Sequence, residues 1–68
     1  MVRTDELVAA RKRVRATQED AANAIGCSVN TYCSKENNNS SFTVDEAVIL
    51  CSFLKITSDI EKAYIFLA

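Results

Sequence analysis

A chain of 68 residues has room for a single core, because a domain this small buries only about 60% of the surface its unfolded chain exposes. That size excludes a two-domain enzyme with an interdomain cleft, and a composition 49% hydrophobic and 25% charged excludes a disordered tail. The net charge of −1 gives no overall basic footprint, but the charges are polarised: Arg3, Arg11, Lys12, Arg13 and Arg15 crowd the first quarter, while Asp45, Glu46, Asp59 and Glu61 lie in the last third against only Lys55 and Lys62.

With no proline and one glycine the chain lacks the turn punctuation of a small β-barrel, and its helices meet no interior breaker. The expected fold is all-α, one domain over residues 1–68. No apolar run approaches the roughly 20 residues needed to span a bilayer, and no basic region precedes an apolar leader, so a place in the bacterial cytoplasm without membrane association is expected. Three cysteines, Cys27, Cys33 and Cys51, occur with no Cys-x-x-Cys pair and no histidine. Neither a disulfide framework nor a metal site is expected, and Cys51 reads as a small buried apolar side chain.

In chain order, Thr4 is the expected cap of a first helix over about Asp5 to Arg15, with acids in its first turn and bases in its last. Leu7, Ala10 and Val14 form its apolar stripe, bordered by Arg11. Thr17 caps a second helix that ends at Ile25, because Gly26 takes a left-handed C-terminal position without strain. Ser28 caps a third helix from Val29 to about Glu36, only three residues beyond the second. Asn37, Asn38 and Asn39 open a polar turn in which asparagine takes positive φ in place of glycine. Thr43 and Glu46 form a capping box, with Phe42 and Ala47 at the staple positions, for a fourth helix from Val44 to Leu54. A second capping box, Ser58 with Glu61, starts a fifth helix whose expected apolar side is Ile60, Ala63, Tyr64 and Leu67.

Two short helices joined around a glycine have the spacing of a helix-turn-helix. The run Thr17-Gln18-Glu19-Asp20-Ala21-Ala22-Asn23-Ala24-Ile25-Gly26-Cys27-Ser28 resembles the T-Q-x-x-x-A-x-x-x-G-x-S core of the Cro and cI repressor family of phages. Tyr32-x-x-Lys35-Glu36-Asn37 and Phe42-Thr43-x-x-Glu46-Ala47 resemble its compact forms in phages and mobile elements of Gram-positive bacteria, and the likeness spans about Leu7 to Ile56. Ala22 is small where the second and third helices approach, and Ile25 and Tyr32 supply the contacts that set their angle. The chain departs from the family pattern at Arg15, Ala16, Lys35 and Asn38, the first and last of which stand where glycine is usual.

The resemblance implies a five-helix fold of the lambda-repressor type and a double-stranded DNA operator as partner, read in the major groove by the start of the third helix. Val29, Asn30 and Ser34 are then the residues facing bases, with Asn30 suited to adenine and Val29 to a thymine methyl. Thr17, Gln18, Ser28, Thr31, Asn37, Asn38 and Asn39 are the implied phosphate contacts, and Lys35 is expected to bury its stem and direct its ammonium toward phosphate. Arg11 and Glu36 stand where family members place a partly buried ion pair. On a wheel of the fourth helix, Val44, Ala47, Val48, Cys51 and Leu54 form the expected core side, while Ile49 and Phe53 point away. With Tyr64 and Phe66 these form the candidate protein interface, either the seam of a homodimer on a palindromic operator or a surface covered by the fifth helix.

The expected function is that of a Cro-like transcriptional regulator, dimeric and without cofactor. A second possibility is an antirepressor or modulator that keeps the fold and binds another phage repressor protein; the acidic net charge favours it. An enzyme is not expected, since no histidine, glycine-rich loop or paired carboxylate in a cleft is present to perform chemistry.

Overall fold

The computed structural model describes residues 2–66. These form five α-helices and, among the described residues, no strand: α1 (Thr4–Arg13), α2 (Gln18–Ile25), α3 (Val29–Glu36), α4 (Val44–Phe53) and α5 (Asp59–Phe66). The starts of α2, α3 and α4 follow from side-chain capping. Thr17, Ser28 and Thr43 each accept the backbone N–H three residues on, and Thr17 with Asp20 and Thr43 with Glu46 form full capping boxes. Ser58 Oγ accepts from the Glu61 N–H, but the Glu61 carboxylate turns instead to Arg13, so only half of that box forms.

Four of the helices end by one device. The residue after the last turn enters the left-handed region, and the next amide reaches back five residues: Ala16 to the Arg11 carbonyl, Cys27 to Ala22, Asn39 to Ser34 and Ile56 to Cys51. Gly26 occupies the left-handed position without strain at φ 77°, whereas Arg15 (59°), Asn38 (66°) and Lys55 (58°) are L-residues held there.

The core is Leu7 and Ala10 of α1, Ala21 and Ala22 of α2, Tyr32 of α3, Leu50, Cys51 and Leu54 of and beside α4, Ile56, and Ile65 of α5. Desolvation pushes the Cys51 thiol above its ordinary pKa, in keeping with an apolar role. α2 packs mainly against α3 and α4, and α1 against α3 and α5. An amide hydrogen bond of 2.8 Å from Arg3 to the Ile65 carbonyl ties the chain start to α5.

Several expectations are corrected. Thr4 is not a cap but the first residue of α1, which ends at Arg13 and not Arg15; the Thr4 hydroxyl donates to the Glu36 carbonyl at 2.8 Å, a partner remote in sequence. The core side of α4 is Leu50, Cys51 and Leu54, while Val44 (80% exposed) and Val48 (61%) face outward. That helix is apolar on most of its surface, so its neighbours and not its periodicity select the buried face. α5 buries Ile65 and half-buries Phe66, leaving Ile60, Ala63 and Tyr64 exposed; Leu67 lies outside the described residues.

Candidate functional site

Behind α3 lies a polar hub centred on the buried Glu36 carboxylate. Its Oε2 accepts from Arg11 Nε at 3.2 Å and from the Tyr32 hydroxyl at 2.7 Å; its Oε1 accepts from Arg11 Nη2 at 3.4 Å and from Gln18 Nε2 at 3.1 Å. Arg11 Nη1 donates to the Ala16 carbonyl at 3.0 Å. One carboxylate thereby joins α1, α2, α3 and the turn between the first two. Burial, reinforced by the hydrogen bond to Glu36, pushes the Tyr32 phenol far above its ordinary pKa, so it stays a proton donor. Among the described residues no buried side-chain nitrogen or oxygen lacks a partner, which is the condition for such a network to rigidify and not weaken a core. The sequence reading paired Arg11 with Glu36 but missed Tyr32 and Gln18. The Tyr32 and Glu36 spacing, one turn apart on one helical face, was the available signal.

The other side of α3 is different. Val29, Asn30 and Thr31 are exposed, and Ser34 is half-buried. Hydrogen bonds of the surrounding side chains run within the fold: Ser28 Oγ accepts the Thr31 N–H and donates to the Thr31 hydroxyl, and Lys35 reaches α4. This face carries no cation, and the first turn of the neighbouring α2 carries Glu19 and Asp20.

Three residues assigned to phosphate are otherwise engaged. The Gln18 side chain is turned inward to Glu36, leaving only its backbone at the start of α2. Asn38 brackets Val2, accepting its N–H at 3.0 Å and donating to its carbonyl at 2.9 Å. Lys35 pairs with Glu46, whose carboxylate also accepts the Thr43 N–H; with 12% and 19% of the side chains exposed, this charge-assisted contact engages the ammonium within the fold. The Lys35 contact first, then the Thr43 amide, holds Glu46 below its ordinary pKa. Thr17, Ser28, Thr31, Asn37 and Asn39 are exposed, at the starts of α2 and α3 and in the turn after α3.

The candidate protein interface is not one patch. Ile49 and Phe53 stay partly exposed, so α5 does not cover them. Tyr64 lies under the Arg3 guanidinium at 4.4 Å, a cation–π contact. Phe66 is withdrawn from the set: it packs edge-on against Phe42, with centroids 5.7 Å apart, and against the core. Cys33 is half-buried, and among the described residues no three His, Cys, Asp or Glu side chains converge in a way that would hold a metal ion. No described helix is long and apolar enough to cross a membrane. Comparison with protein-family models, with curated proteins and with solved structures gives no match to this chain.

Proposed function

We propose that the chain is a sequence-specific DNA-binding transcriptional regulator of the Cro-like or small-repressor kind. In this reading α2, the Gly26 turn and α3 act as a helix-turn-helix, and α3 enters the major groove of an operator with Val29 and Asn30 on base edges and Ser34 behind them. The observation that carries the reading is the contrast across α3: a helix fixed from behind by a saturated hub presents exposed, short, neutral side chains in front. A reading helix needs that combination, because base recognition requires placement to a fraction of an ångström by supporting residues.

Thr17, Ser28, Thr31, Asn37 and Asn39, with the amide end of α2, are positioned to contact phosphate in this arrangement, while Gln18 and Asn38 contribute by holding the frame. No cofactor takes part. A homodimer in the bacterial cytoplasm, with Ile49 and Phe53 of α4 toward the second subunit, completes the reading on a two-fold operator.

One observation favours the second reading, a modulator that binds another repressor. Arg11 and Lys35 are both engaged inside the fold, so the α3 side lacks free cations, while Val44, Val48 and Ile60 are exposed. Selection from a random duplex pool separates the two. The regulator enriches a motif by itself; a chain that enriches nothing alone, and instead captures a second repressor, is the modulator.

A further inference from the structure

A neutral reading face leaves open what holds the phosphate backbone, since the sequence-independent part of duplex affinity comes from cations that displace counterions. Arg15 and Lys55 converge, with Arg13, on one open groove of about 680 Å³ walled by Asp20, Asn23 and Phe53. Arg13 is paired with Glu61 at 3.1 Å, while Arg15 and Lys55 are exposed and have no ion pair among the described residues. The Asp20 carboxylate in the wall accepts the Thr17 N–H at 2.9 Å, which holds its pKa down; it is therefore ionised at neutral pH and opposes the cations in part.

Both free cations occupy the left-handed positions that close α1 and α4. Glycine fits such positions without strain, yet each carries a long basic side chain. The negative end of a helix dipole accounts for a cation at either place. It does not account for both lining the same groove, beside the Thr17 cap from which α2 begins.

We infer that the Arg15–Lys55 groove, walled by the ends of α1 and α4 and by α2, is a phosphate-backbone contact that supplies the charge the α3 face lacks. The assignment rests on the DNA-binding reading. It implies that duplex affinity falls with salt with a slope of about 2 per bound chain, because each neutralised phosphate contributes roughly 0.9.

The test is the salt dependence of binding to a labelled random-sequence duplex by the full chain, as the parent and with Arg15→Gly and Lys55→Gly together. Glycine suits the backbone at both positions, so the variant is expected to melt close to the parent, which separates a lost contact from a lost fold. The slope is expected to drop from about 2 to near zero. On a duplex enriched by the parent, affinity should fall with the sequence preference retained. An unchanged slope in a variant that still binds overturns the groove assignment and leaves the DNA-binding reading intact. A parent that binds no duplex overturns both. A polyglutamate peptide that binds the parent but not the variant, with duplex binding indifferent to the substitutions, makes the groove a site for acidic protein segments and overturns the phosphate assignment.

Discussion

The two sides of α3 differ in how far their groups are committed. Tyr32 and Glu36 on the inner side are fully buried and joined to Arg11 and Gln18 from two other helices. Val29, Asn30 and Thr31 on the outer side face solvent. The inner side decides where the helix sits, and the outer side, in the proposed reading, is what meets the DNA. Substitutions on the two sides should therefore part cleanly, the inner ones costing stability and the outer ones costing only recognition.

The largest effect is expected from Arg11→Ala, which leaves Glu36 as a buried charge with two neutral donors. Breaking such a pair costs about 3 kcal/mol, roughly a 12–24 °C drop in Tm for a domain of this size. A thermal melt by circular dichroism checks it, and a variant melting like the parent would break the inner half of the comparison. Tyr32→Phe removes one hydrogen bond but keeps the ring and should cost about 1–2 kcal/mol in urea denaturation. Thr43→Ala removes the cap of α4 and should cost about 1 kcal/mol by the same measurement.

A smaller effect is set by pH. Because the folded chain holds Glu46 ionised below its ordinary value of 4.5, the unfolded state takes up the proton first. Its contribution is full above about pH 4.5 and is lost as acid titrates the folded carboxylate, so Glu46→Gln should flatten the acid side of a plot of Tm against pH. Asn30→Ala should change stability least, within about 0.5 kcal/mol, since the side chain is exposed.

Local signals carried much of the fold. The caps Thr17, Ser28 and Thr43 and the left-handed Gly26 act over four residues or fewer, and each is where its sequence pattern puts it. What escaped the sequence depends on partners distant in the chain. Thr4 has the look of a cap, but its hydroxyl serves a carbonyl 32 positions away. Lys35 and Glu46 meet only once α3 and α4 are packed, which removes the one cation expected at the α3 surface. The apolar residues of α4 surround the helix, so no periodicity separated Leu50 from Val44 and Val48. At the candidate site the inner pair of Arg11 and Glu36, 25 positions apart, was legible only through the family resemblance. The roles of Gln18 and Asn38 as frame and not contact were not, because a primary amide serves a carboxylate, a backbone or a phosphate equally well.

The most direct test of the central claim, that the outer side of α3 reads sequence while the inner side fixes it, is a comparison of the duplex motifs enriched from a random pool by the parent and by Asn30→Ala. The account predicts a defined motif for the parent and, for a variant of unchanged stability, loss of preference at an adenine position with the rest of the motif retained. An identical motif from both proteins, or no enrichment by the parent, would contradict it.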